Sequence, residues 1–266
     1  MRLLLILFLF EFLIHGTIYS QIMIYGDSRT NERIHKKIVN NILKLNPVAV
    51  FNTGDLVFCK NSSKNWQTFL DITSELRSKA QYYPIIGNHD KNSKEYYDIF
   101  KLPNNKEWYS VTISKINFIV INSNKSIKTG SEQYNWLVHQ LDSSQKTDNY
   151  TIVLFHHPPF SSGTHRKDPK NARKYLVPLF DKYGVDAVFS GHVHMYERLL
   201  VNGIYYFVTG GGGAPLHNVG EKSQYSQKVF KVHHFCNLSI IDNQLHVAVY
   251  DIDNNLIDNI TIGKRH

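Results

Sequence analysis

The chain has 266 residues, of which 42% are hydrophobic and 13% aromatic, enough for a large packed core and unlike a disordered or fibrous composition. Thirty Lys and Arg against 22 Asp and Glu leave a formal charge of +8. The lysines are scattered, so the surface suits anionic substrates, and no nucleic-acid partner is inferred.

Residues 1–20 read as a signal peptide. Arg2 supplies a positive start, and residues 3–14 are apolar apart from Glu11. That run is short for a membrane span, which needs about 20 residues. The expectation is a secreted or periplasmic protein with no stable membrane span once the signal is cleaved. The alternative is anchoring by an uncleaved signal. Residues 21–266 contain no linker-like stretch and no repeat, so a single domain is expected there. Export makes a Cys59–Cys236 disulfide feasible, with a buried free thiol at Cys59 as the other expectation.

Short apolar runs alternate with helical patterns through the first two-thirds. Residues 22–25, 48–51, 83–86, 151–155 and 185–190 read as strands. Residues 30–45 carry Ile34, Ile38, Ile42 and Leu45 at helical spacing, and 64–78 carry Trp66, Phe69, Leu70 and Leu76. Further helices are expected over 130–142, starting at Ser131, and over 170–183, bent at Pro178. Residues 109–113 and 117–122 look like a hairpin. After residue 196 only strands follow. Alternating strands and helices followed by hairpins suggest two packed sheets flanked by helices.

The strand-like runs end in residues that ligate metals. The first leads to Gly26-Asp27, the second to Gly54-Asp55, and the third to Gly87-Asn88-His89-Asp90. The fourth ends in His156-His157-Pro158-Pro159, and the fifth in Gly191-His192-Val193-His194. Glycine permits the sharp turn and close approach that such ends need. In a strand, residues two apart share a face, so His192 and His194 are expected to reach one polar site. Open α/β sheets place ligands at this edge.

This order of motifs resembles the calcineurin-like metallophosphoesterase superfamily over about residues 22–216. The details of Gly54-Asp55-Leu56, His156-His157-Pro158 and Gly191 to Arg198 resemble its purple acid phosphatase branch. The resemblance implies a four-layer α/β/β/α sandwich of two mixed sheets flanked by helices, without a preceding β-sandwich domain. It implies two metal ions, divalent or of mixed valence (zinc, manganese or iron), and a phosphate-ester substrate. Water held between the ions would attack phosphorus in line.

By the same resemblance, Asp55 bridges both ions. Asn88, His156 and His192 complete the second site, and Asp27 and His194 bind at the first. His89 faces substrate, Asp90 orients His89, and His165 aligns with a substrate-side histidine. His157 is expected as a neighbour and not a ligand. His217, His233, His234 and His246 are expected as surface or core histidines. Residues 210–213 are expected as a tight glycine loop that lets backbone pass near the metals.

Two positions depart from the family pattern. Arg29 stands where many superfamily members have a ligand histidine, which frees its planar guanidinium for phosphate. Phe58 stands where purple acid phosphatases have a metal-binding tyrosine. His35, on the following helix, is the expected replacement donor. Phosphomonoester hydrolysis is the leading expectation. A phosphodiesterase acting on nucleotides or lipids, and a non-catalytic binding protein with a degenerate metal site, are the alternatives.

Overall fold

Short strands that are apolar at every position need cover on both faces, and the chain supplies it. The computed structural model describes residues 20–104, 107–164 and 170–265. Residues 1–19 of the expected signal peptide and the candidate His165 lie outside these.

The first sheet centres on β1 (Ile22–Tyr25), which runs parallel to β2 (Ala49–Asn52). β2 in turn runs parallel to β3 (Gln81–Pro84) at the edge. On its other side β1 meets β11 (His234–Ile241), which continues antiparallel into β12 (Gln244–Asp251) and β13 (Leu256–Ile262). In the second sheet β5 (Ile116–Val120), β6 (Tyr150–Leu154), β7 (Ala187–Ser190) and β9 (Ile204–Thr209) run parallel. β4 (Tyr109–Ile113), β8 (Tyr196–Val201) and β10 (Ser226–Phe230) extend it by antiparallel pairing.

Both sheets are therefore mixed, and the space between them is the main core. Phe51 of the first sheet meets Phe118 of the second at 4.4 Å between ring centroids. Phe189 and Phe207 stack at 4.5 Å. All four rings are buried, and each contributes about 1.5–3 kcal/mol by leaving water. The outer face of the first sheet is covered by α1 (Glu32–Lys44) and α2 (Ser63–Lys79), with α3 (Lys94–Ile99) beside α2. The second is covered by α4 (Glu132–Ser144), α5 (Lys170–Tyr175) and α6 (Val177–Lys182). These helices complete the α/β/β/α sandwich.

Local chemistry sets the element ends. Asn31, Ser62 and Ser131 cap α1, α2 and α4 by accepting the backbone N–H of Ile34, Asn65 and Tyr134. The helix expected over 170–183 divides at Leu176, because Pro178 lacks the N–H that a continuous helix needs. β3 ends at Pro84, two residues before the expected end, while Ile85 still donates to the Asn52 carbonyl. Cys236 is buried, Cys59 is exposed, and both are free thiols, so neither the disulfide nor a buried Cys59 is found.

One polar tie joins the sheets at their rim. Asp258 on β13 accepts from Tyr196 Oη at 2.7 Å and Arg198 Nε at 2.7 Å on β8, and pairs with Lys228 on β10 at 2.9 Å. Burial opposes the charged carboxylate, but these partners outweigh it and hold the Asp258 pKa below the ordinary value. Asp258→Ala should lower the unfolding free energy at pH 7 by about 3 kcal/mol, since the buried Tyr196 hydroxyl and the mostly buried Arg198 guanidinium lose their partner. A depressed native pKa stabilises above the unfolded value of about 3.9 and is lost as pH falls through the native value. Wild type should thus lose stability more steeply than the variant below about pH 4. Denaturant unfolding at both pH values checks this, and equal stability at pH 7 would contradict it.

Candidate metal centre

The site is built at the carboxyl ends of β1, β2, β3, β6 and β7, where five loops converge. Asp27, Asp55 and His192 each follow a glycine and each adopt a positive φ, of 56°, 55° and 66°. Non-glycine residues in this region cost about 1–3 kcal/mol unless their surroundings hold them. Here the loops hold one another. Asp27 N–H donates to the Gly54 carbonyl at 2.9 Å. His192 N–H donates to Asp27 Oδ2 at 2.9 Å, and His89 N–H to Asp55 Oδ1 at 2.9 Å. The packing leaves no room for side chains at the glycines. A Cβ on Gly54 would stand 2.7 Å from His156 Nδ1, and one on Gly210 2.8 Å from Asp27 Oδ2. The glycine run thus passes against the site as a tight loop.

Two groups of donors result. In the first, ligand atoms of Asp27, Asp55 and His194 lie within 4.8 Å of one another. In the second, those of His156, His157 and His192 do. Asn88 Oδ1 joins the second group, 3.0 Å from His156 Nε2 and 2.9 Å from His192 Nδ1. Asp55 lies between them, with Oδ1 3.4 Å from His156 Nε2 and Oδ2 3.2 Å from Arg29 Nε. The chain leaves β7 at Ser190 and turns at His192, so His192 and His194 do not share a face. They serve different groups.

The donor chemistry fits cations. His156 Nδ1–H donates to the Thr53 carbonyl at 2.9 Å, and His194 Nδ1–H to that of Pro215 at 2.8 Å. Each ring therefore turns its Nε2 atom inward, the orientation that carbonyl partners impose on ligand histidines. His194 Nε2 faces Asp27 Oδ1 at 3.4 Å. That oxygen is buried and has no hydrogen-bond donor among the described residues. Burial pushes the Asp27 pKa up to about 6. Burial opposes charge on His194, but Asp27 outweighs it and raises the imidazole pKa above its ordinary value. Burial holds His156 neutral, well below its usual range. A lone pair and buried carboxylates pointing at one spot favour positive charge there.

Several expected roles change. His35 belongs to neither group. It is buried beneath the site, with Nε2 3.2 Å from Tyr25 Oη and its ring stacked on Phe69 at 5.7 Å. Burial drives its pKa down to about 3, so it is a neutral core histidine. Asp90 does not orient the His89 ring. Its carboxylate accepts the N–H groups of Leu56, Val57 and Gly87 at 3.0–3.2 Å, and burial with the Asp55 charge raises its pKa to about 8. The Phe58 carbonyl orients His89, accepting from Nδ1–H at 2.7 Å. Arg29 reaches the site, but its guanidinium is engaged by Asp55 and lies 3.4 Å from His194 Nε2.

Two histidines expected as bystanders, and one glutamate not singled out from the sequence, also build the site. His157 Nδ1 pairs with Ser123 Oγ at 2.8 Å, and its ring lies 4.5 Å from that of His192. His217 stacks on His194 at 4.0 Å and accepts its backbone N–H. Glu197 is buried and binds both N–H and Oγ of Ser162, anchoring the loop after His156. Its place within the Gly191–Arg198 motif was the available signal.

The calcineurin-like phosphoesterase family model matches residues 14–196, and the chain belongs to that family. The probable inactive purple acid phosphatase 1 of Arabidopsis thaliana is 26% identical over 290 residues, covering 90% of this chain and 47% of that protein. The Fe(3+)-Zn(2+) purple acid phosphatase 12 of the same plant is 36% identical over 191 residues, covering 63% and 41%. A purple acid phosphatase from yellow lupin (Lupinus luteus) seeds shares the fold with a TM-score of 0.81 at 23% identity, covering 91% of this chain and 53% of its own. The chain spans less than half the length of these curated relatives.

Asp90→Ala should unfold more easily by about 3 kcal/mol, because three buried N–H groups lose their acceptor. Asp90→Asn keeps an acceptor oxygen and should lose less. The same variants should bind zinc more weakly in that order. Stability and zinc affinity equal to wild type in Asp90→Ala would show that these bonds do not hold the Asp55 loop.

Proposed function

We propose that this protein is an exported phosphomonoesterase with two metal ions. The observation that carries the reading is Asp55, which groups with Asp27 and His194 while its Oδ1 lies 3.4 Å from His156 Nε2 of the other group. Asp55 would be common to both ions. Asn88, His156 and His192 would hold one of them, with His157 as a further donor, and Asp27 and His194 would hold the other. Such a pair lowers the pKa of bound water, orients phosphoryl oxygens and screens their charge. Imidazole, amide and carboxylate donors suit zinc, manganese and ferrous iron. The Phe58 side chain has no oxygen to offer, so a purple tyrosinate–iron colour is not expected.

The chain's own groups handle the rest. Arg29 exchanges its contact with Asp55 for a phosphoryl oxygen, to which its planar fork is matched. His89 Nδ1–H is tied to the Phe58 carbonyl, so Nε2 meets the substrate; it stands 3.9 Å from Asp55 Oδ2 and is partly exposed. From Nε2 the ring can pass a proton to the departing alkoxide. The second negative charge of a monoester favours a site with both cations. Export rests on the pattern of residues 1–20. Among the described residues no helix is long and apolar enough to cross a membrane.

Asp55→Asn should lose both hydrolysis of 4-nitrophenyl phosphate and bound metal, measured by elemental analysis of purified protein. Full activity with unchanged metal would sink the two-ion reading. Hydrolysis of the corresponding diester alone would replace monoesterase with diesterase.

His89→Ala should lower kcat about 100-fold or more, as for a positioned acid, with metal content unchanged. Loss of metal in that variant would make His89 a ligand instead.

A further inference from the structure

A cavity of about 230 Å³ lies between the loop after β1 and helix α2, beside the donor groups. Arg29 lines it and also contacts Asp55, so one side chain borders both spaces. Leu56 and Val57, the residues directly after Asp55, form part of its wall. At its mouth stands Phe58, 55% exposed, although a ring that size is normally buried. The Phe58 ring lies 5.8 Å from the Arg29 guanidinium and 5.5 Å from the His89 ring. Deeper in, the wall is Phe69 stacked with His35.

We infer that this cavity is a subsite for an aromatic ring carried by the phosphate ester, so that the substrates are phosphates of aromatic alcohols. The inference rests on the phosphatase reading above and gives it a substrate class. A phosphoryl group gripped by Arg29 directs its ester substituent toward the mouth. The volume is below the roughly 300–1,000 Å³ of pockets that enclose whole drug-sized ligands, so it suits a group about the size of one ring. Aromatic walls reward a ring by offset or edge contact beyond the area buried. The rim offers polar selection too. Thr68 lines the cavity with a hydroxyl that has no partner among the described residues. Asn65 accepts the Cys59 N–H through Oδ1 and leaves its amide N–H groups for a hydroxyl or ring heteroatom. Glu32 is the one carboxylate in the lining, which disfavours a substituent bearing further phosphates.

Equilibrium binding of two non-hydrolysable probes, benzylphosphonate and methylphosphonate, to the protein as purified tests this without relying on turnover. Wild type should bind the benzyl compound about tenfold more tightly or better, which is about 1.4 kcal/mol. Thr68→Trp, which fills the cavity, should bring the two affinities close to equality. Phe58→Ala, which trims an exposed ring, should do so in part and guards against misfolding of the first variant. Equal affinities in wild type, binding of neither probe, or a preference untouched by both variants would overturn the subsite. A clear preference in a protein that hydrolyses no phosphate ester would keep the subsite and reject the phosphatase reading.

Discussion

Three carboxylates share one buried corner, and much of this site exists to keep them there. Asp27, Asp55 and Asp90 are each at most 1% exposed. Burying one unpaired charge is costly, and burying three adjacent ones more so. Asp90 is satisfied by three backbone N–H groups from the turns it joins. Asp27 Oδ1 has no hydrogen-bond donor among the described residues, and Asp55 depends on the Arg29 guanidinium for its second oxygen. Each receives one backbone N–H, and beyond that they face imidazole and guanidinium. The protein has placed hard oxygen donors where only positive charge makes them stable.

That demand propagates outward. To aim Asp27, Asp55 and His192 at one another, the backbone takes a left-handed turn at all three. The strain is tolerable because the strands beneath are fixed by the inter-sheet core and the loops exchange hydrogen bonds across strands. Glycines stand where any side chain would enter the donor groups. The imidazoles are fixed in the same way, by carbonyls of Thr53, Pro215 and Phe58 belonging to other loops. A rigid frame with inward donors suits a task that depends on position more than on motion.

Much of this was legible in the sequence because apolar strands and polar strand ends differ in residue type. The five motif positions follow from that contrast, and the helix spacing over residues 30–45 and 64–78 gave α1 and α2. The short helix α3 was not legible, since six residues carry too little periodicity. Among site residues, His35 misled because proximity in sequence to Asp27 says nothing about which side of β1 the helix packs on. Asp90 misled because a carboxylate next to a histidine can equally serve backbone N–H groups. The orienting roles of the Phe58 and Pro215 carbonyls have no residue-type signature at all. His157 was expected as a neighbour and not a ligand, yet it faces the same group as His156 and His192.

Arg29 gives the account its sharpest edge, because its guanidinium and a metal ion would compete for the same oxygen of Asp55. Anomalous X-ray scattering from crystals grown with zinc measures the outcome directly. The account predicts two peaks roughly 3.5–4 Å apart, one beside Asn88, His156 and His192 and one beside Asp27 and His194, with Asp55 between them and Arg29 displaced from its carboxylate. A single peak on the histidine side, with Arg29 still paired to Asp55, would contradict it.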